Sequence, residues 1–175
     1  MEKSKAKIYI DGANMFYTQK RLGWFIDWSK VKNYIDQEKE VLEWRYYVGI
    51  KDDDEKMLQY LKYLNLTGFN TITKPLKKIS ANNGDKVAKN PEIYFIYKAN
   101  FDVEITADIL LEKSALDEVI IFSGDSDFHY LVKKLKDVGI KVTVYSSKKT
   151  ISWELKLACS KITYFESIKN KIMRQ

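Results

Sequence analysis

Two kinds of apolar pattern alternate along this chain. Compact runs of apolar, β-branched and aromatic residues occur at 6–10 (AKIYI), 41–48 (VLEWRYYV), 118–122 (EVIIF) and 140–145 (IKVTVY). Each reads as a strand, and the unbroken run at 118–122 predicts one covered on both faces. Between the runs, apolar residues recur at helical spacing. Residues 14–22 read as helical, and Ser29 is placed to cap a helix through Val31, Tyr34 and Ile35. Asp52-Asp53-Asp54 offers caps and favourable charge for a helix bearing Met57, Leu61 and Leu64 on one side. A further helix spans 102–114 with Val103, Ala107 and Leu110 on one side. Phe128, Leu131, Val132, Leu135 and Val138 form the clearest stripe, and Gly139 stops it.

The remaining segments are shorter. Residues 71–79 read as extended, with Pro75 pointing to an edge position. Residues 80–91 are polar and hold the turn-prone Asn82-Asn83-Gly84-Asp85, and 92–98 (EIYFIYK) read as a strand. The two extended pieces are expected to pair as a hairpin arm over 71–98. A short helix at 152–158, a last strand at 162–165 and a fraying tail at 169–175 complete the chain. Alternating strands and helices imply an α/β fold with a central, mostly parallel sheet and helices on both faces. No repeat or composition shift divides the chain, so residues 1–168 are read as one domain.

Composition narrows the chemistry. The 175 residues are 45% hydrophobic and 31% charged, enough for one substantial core. With 7 Gly and 2 Pro, long unstructured linkers are not expected. No apolar run reaches the roughly 18 residues of a membrane span, and the start (MEKSK) lacks a signal-peptide core. Cys159 has no second cysteine to pair with. The expected location is therefore the cytoplasm. The net charge of +6 favours polyanionic partners. His129 is the single histidine, which argues against histidine metal sites and catalytic triads, so catalysis must lean on carboxylates and a metal.

The carboxylates fall where such a fold builds sites, beyond the carboxyl ends of the strands. Asp11 follows the first strand, and Asp125 and Asp127 follow the strand ending at Phe122. Asp102 stands at a helix start, from which it can face the same end. Acids brought together repel unless a cation neutralises them. Mg2+ or Mn2+ suits carboxylates, waters and phosphate oxygens. One or two ions, about 3.5–4 Å apart if two, would activate water for an in-line phosphoryl displacement. Each acid also has a plainer reading as a helix cap. Asp108 lies six residues beyond Asp102, about 240° round and about 9 Å up a helix, so it ranks below the others. Asn14 could hold a carboxylate, water or phosphate or be a plain helix-start amide. Ser123 could donate to a phosphate, and Gly124 would allow close backbone approach, or the two could form a simple turn.

At these residues the chain resembles a known family. Ile8-Tyr9-Ile10-Asp11-Gly12-Ala13-Asn14 is similar to the opening motif of NYN-domain proteins, the LabA-like group within the PIN-like nucleases. The stretch Lys98-Ala99-Asn100-Phe101-Asp102-Val103, continuing to Asp108, resembles that group's KGxDxxLxxD segment with one extra residue and no glycine. Ser123-Gly124-Asp125-Ser126-Asp127-Phe128 matches its SGDSDF signature. The resemblance implies a three-layer PIN-like (Rossmann-like) sheet of order 3-2-1-4-5 and a metal-dependent ribonuclease. Carried over, Asp11, Asp102, Asp125 and Asp127 become catalytic and metal-holding, with Asn14, Ser123, Gly124 and Asp108 in support.

Basic residues suggest where RNA, in single-stranded form, would lie. Lys74, Lys77, Lys78, Lys86, Lys89 and Lys98 crowd the arm, with Tyr94 and Tyr97 among them. Cations for phosphates and rings for bases hold single strands without strict sequence reading, although a lysine-rich edge strand also blocks aggregation. Lys133, Lys134 and Lys136 read as the wet face of their helix. Trp24, Phe25 and Trp28 could stack bases or meet a partner in a homodimer, with core packing favoured. The leading expectation is an RNA endonuclease, and the alternative is a non-catalytic RNA-binding or regulatory module. Small-molecule phosphatase chemistry is disfavoured, because Ala13 stands where a haloacid-dehalogenase-type enzyme needs a second aspartate.

Overall fold

The computed structural model describes residues 3–81, 94–113 and 116–175. Its frame is a six-stranded sheet in which every pairing is parallel. The chain runs β1 (Lys5–Asp11), α1 (Gly12–Leu22), α2 (Trp28–Asp36), β2 (Glu40–Ile50), α3 (Glu55–Leu66) and β3 (Asn70–Pro75). An excursion follows, β4 (Lys77–Ala81) and β5 (Tyr94–Lys98). Then come α4 (Asp102–Glu112), β6 (Glu118–Phe122), α5 (His129–Asp137), β7 (Lys141–Ser146), α6 (Trp153–Ala158), β8 (Lys161–Tyr164) and α7 (Lys169–Ile172). The sheet order is β3-β2-β1-β6-β7-β8, which is the expected PIN-like order with β8 added at the far edge.

Alternation along β1 explains the three layers. Ile8 and Ile10 face one core with Met15 of α1, Trp28 and Val31 of α2, and Leu64 of α3. Tyr9 faces the other, with Ile105 and Ile109 of α4, Leu131 and Leu135 of α5, and Leu155 of α6. A period of two on the strand thus becomes helices on both faces. β6, fully buried along its length, is covered on both sides as its sequence predicts. The arm is also observed: β4 and β5 pair antiparallel as a separate two-stranded sheet.

Three details differ from expectation. The cap of α2 is Asp27, not Ser29: its Oδ1 accepts the N–H groups of Ser29 and Lys30 and the Ser29 hydroxyl. An ionised carboxylate is the stronger acceptor at a helix N-terminus, so the serine becomes its donor. The extended stretch 71–79 is two strands rather than one. β3 is the sheet edge, as Pro75 suggests, and the chain breaks at Leu76, whose N–H donates to the Ile50 carbonyl at 2.8 Å. The tail does not fray over α7: Ile172 is fully buried, its carbonyl accepts the Asp27 N–H, and Arg174 N–H donates to Phe25 O. Of the expected aromatic cluster, Trp28 is core, Trp24 packs partly against it and Phe25 is exposed.

Candidate metal centre

The site begins where β1 ends. Asp11 is the last residue of that strand and the cap of α1, its Oδ1 accepting the Asn14 N–H at 3.0 Å. Gly12 must lack a side chain: a Cβ there would stand 2.5 Å from the Tyr47 carbonyl. That close approach lets α1 start directly against β2. Asp11 is 8% exposed, and its other oxygen accepts the Ser123 hydroxyl at 3.3 Å. Burial pushes its carboxyl up to about 6; the Asn14 N–H opposes the shift, while the charges of Asp102 and Asp125 add to it.

The loop after β6 is tied to this floor. Ser123 is fully buried and its Oγ accepts the Asp125 N–H at 3.2 Å. The Gly124 N–H donates to the Asn14 side-chain carbonyl at 3.0 Å. A Cβ on Gly124 would lie 2.4 Å from the Thr150 carbonyl, so the loop fits only with glycine there. Asn14 and Ser123 therefore lock the β1 and β6 ends together. Asp125 caps a single 3-10 turn, Ser126–Phe128, by accepting the Asp127 N–H at 3.0 Å.

The fourth acid arrives from α4. Phe101 is buried below the loop, edge-on to Tyr47, and the Asn100 side chain accepts the Asp102 N–H at 2.8 Å. Phe101, not Asp102, occupies the cap position and makes no side-chain cap bond, so the Asp102 carboxylate is not consumed by the helix. Burial raises its carboxyl above the ordinary range; a hydrogen bond from the Asn100 side chain to the carboxylate opposes this, and Asp125, Asp127 and Glu104 add to it. Asp102, Asp125 and Asp127 each bring a carboxylate oxygen within 4.8 Å of the others. Asp11 lies outside that trio, yet lines with Asp102 and Asp125 one cleft of about 190 Å³, together with Asn14, Tyr17 and Asn100. Among the described residues, no lysine or arginine forms an ion pair with any of the four acids. A larger groove of about 410 Å³ between α5 and α6, beside His129 and Trp153, holds no such acid cluster.

The chemistry of this donor set fits a hard divalent cation. It offers only carboxylate oxygens, with no histidine or cysteine. Three carboxylate oxygens no more than 4.8 Å from one another are near enough to be shared by one such ion. Two expected participants belong elsewhere. Asp108 is turned away from the cleft: it pairs with Arg45 Nη1 at 3.0 Å and accepts the Tyr47 hydroxyl at 2.7 Å. Lys74 is bound to the Glu104 carboxylate and the Asn100 carbonyl, with its ammonium 4.4 Å from the Phe101 ring. It holds the loop before Asp102 instead of lining a groove. Lys77, Lys78 and Lys98 are exposed on the arm, and Tyr97 is exposed with Lys51 Nζ 4.9 Å from its ring. Lys86 and Lys89 lie outside the described residues.

Relatives agree with this architecture. The NYN domain family model matches residues 5–167. The chain belongs to the NYN domain family. NYN domains are part of the PIN-like nuclease superfamily, whose members are usually divalent-metal dependent. This NYN protein is 32% identical over 172 residues to "Low amplitude and bright protein LabA" of Synechococcus elongatus, covering 97% of this chain and 88% of that protein. It is similar in structure to a protein of unknown function, VPA0982, from Vibrio parahaemolyticus RIMD 2210633. There the TM-score is 0.78 at 26% identity, over 99% of this chain and 100% of the other. No described helix of the NYN protein is long and apolar enough to cross a membrane. Sequence reasoning missed Tyr17 and Asn100 as cleft residues. Tyr17 had a usable signal, since it lies three positions beyond Asn14 on α1, about one helical turn.

Proposed function

We propose that this NYN protein is a divalent-metal-dependent ribonuclease that hydrolyses RNA phosphodiesters within the chain, at the Asp102–Asp125–Asp127 cluster. One observation carries the reading: three carboxylates converge within 4.8 Å with no described cation paired to them, above a buried fourth, Asp11. Such a cluster is unfavourable by itself and becomes favourable with Mg2+ or Mn2+. When bound, the ion supplies charge neutralisation at a phosphate and lowers the pKa of water. Asp102, Asp125 and Asp127 are the residues that would hold it. Asp11 adds negative potential from below and is itself fixed by Asn14 and Ser123. Asn14, Ser123 and Gly124 keep the acids in register by joining two strand ends. The cationic arm supplies phosphate contacts through Lys77, Lys78 and Lys98.

The test is cleavage of a fluorescent single-stranded RNA in Mn2+, comparing the parent with Asp102→Asn and Asp125→Asn. Electrostatic and metal contributions of this kind are worth about 100-fold or more in rate, so each variant should lose at least that much. EDTA should abolish activity in the parent. Equal cleavage by all three proteins would exclude this cleft. Tight RNA binding without cleavage over a range of RNAs would make the domain a non-catalytic RNA-binding module.

A further inference from the structure

α1 carries an expense that the fold does not explain. Its buried face is Gly12, Met15 and Thr18, sufficient to seat it on the sheet. Yet Phe16 and Tyr17 stand on its outer side, 49% and 64% exposed, where charged residues would ordinarily be found. Their rings meet edge to face at 5.7 Å between centroids, and Lys20 Nζ lies 4.3 Å from the Phe16 ring. Tyr17 is also part of the cleft wall, beside Asp11, Asn14, Asn100, Asp102 and Asp125. The surface adjoining the carboxylates is therefore aromatic with a cation behind it.

We infer that Tyr17, backed by Phe16 and Lys20, is a base-stacking subsite that holds a nucleobase of single-stranded RNA next to the phosphate in the acidic cleft. The inference rests on the ribonuclease reading above and adds a specific substrate contact to it. The ligand chemistry follows from the surface. A nucleobase is flat, uncharged and polarisable, so it can lie on a tyrosine face close to carboxylates that would repel a bare phosphate. Lys20 supplies the complementary charge for the backbone as it leaves the cleft. Stacking of this kind needs no sequence-specific hydrogen bonds, because every base presents a π-face. A duplex keeps its bases stacked on one another, so the subsite selects unpaired RNA. An apolar protein segment or a second copy of the chain would gain little from the acids that share the wall.

The experiment measures binding rather than turnover. Fluorescein-labelled oligoadenylate of twelve nucleotides is titrated by anisotropy in Mg2+, in an Asp125→Asn background that keeps the RNA intact. A parallel series carries one abasic site at each position in turn. Tyr17→Ala should weaken binding about tenfold, within the range for loss of one base–aromatic stack, and Tyr17→Phe should bind like the parent. One abasic position should weaken the parent by a similar factor and leave Tyr17→Ala unaffected. Because Tyr17 is exposed, Tyr17→Ala should melt with the parent, which separates lost contact from lost fold. Affinity within twofold for Tyr17→Ala, or equal losses at every abasic position, overturns the subsite and leaves the nuclease reading intact. Absence of RNA binding by the parent overturns both. A parent dimer that Tyr17→Ala converts to monomer without RNA makes the rings a subunit contact and also overturns the subsite.

Discussion

Asp11 shows how one residue can be unfavourable for the fold and useful to the site. Its carboxyl titrates near 6 rather than 3.8, chiefly because it is buried. A raised carboxyl pKa means the folded protein holds that proton more tightly than the unfolded chain does. Stability is therefore lost as pH rises from about 4 to about 6 and stays lost above. Asn keeps the cap oxygen for the Asn14 N–H without the charge. Asp11→Asn should therefore be more stable than the parent at pH 7.5 in EDTA, by about 3 kcal/mol for a shift of this size, and melt higher. The difference should vanish near pH 3.5. Thermal melts by circular dichroism across this range check it, and a constant difference at every pH would refute the electrostatic account. The position of Asp11 was legible because it ends a clear apolar run. That Asn14 spends its carbonyl on Gly124 was not, since the partner lies 110 residues away and only the fold joins them.

At the scale of elements, α4 matters most, because it delivers Asp102. It is held on the sheet by charge as well as by Ile105 and Ile109. Arg45 of β2 pairs with Glu112 at 2.7 Å, Asp108 at 3.0 Å and Glu43 at 2.9 Å, and Lys7 of β1 pairs with Glu112 at 2.6 Å. Arg45→Met would leave Lys7 as the remaining ion-pair partner of Glu43 and Glu112, and Asp108 with the Tyr47 hydroxyl but no cation. Removing one partner from such a network costs about 2–4 kcal/mol, and Asp102 should lose its register, lowering RNA cleavage more than Lys7→Met does. Urea unfolding and initial rates read the two effects separately. Burial opposes ionisation of Glu43, but its bonds to Arg45, Asn70 and Lys7 prevail and hold its carboxyl down to about 2. Its stabilising share is full above pH 4.5 and disappears as pH falls towards 2, opposite in sign to Asp11. The helical stripe of α4 was visible in the sequence. The role of Asp108 was not, because helical geometry excludes it from the cleft without naming Arg45 as its partner. The ion pair of Lys74 was hidden for the same reason: its partner Glu104 comes from a different element.

Across the whole molecule, parallel pairing sets the plan. Every strand of the main sheet ends on the same side, so acids following β1 and β6 must meet, and these strands are neighbours. That much follows from alternation and strand ends, which is why four acids scattered from 11 to 127 could be grouped in advance. Leu76, where β3 gives way to the arm, carried no comparable signal, because its break depends on the Ile50 carbonyl of another strand. The arm leaves an electrostatic imbalance. Lys77 and Lys98 are exposed and directly opposite in the β4–β5 register, where like charges destabilise a hairpin by a few tenths of a kcal/mol or about 1 at most. A phosphate bridging the two ammonium groups would reverse the sign of that interaction. Replacing both with Ser should thus leave the fold as stable or slightly more so, while weakening binding to single-stranded RNA. Each phosphate contact contributes about −0.7 to the slope of log affinity against log salt for single strands. The double variant should therefore flatten that slope by about 1.4, and the affinity gap to the parent should close as salt rises. Because the contacts are to the backbone, the loss should be uniform over RNA sequences, unlike the position-dependent loss expected for Tyr17→Ala. An unchanged salt slope would remove the arm from the RNA path and leave the acidic cleft to bind its substrate through α1 alone.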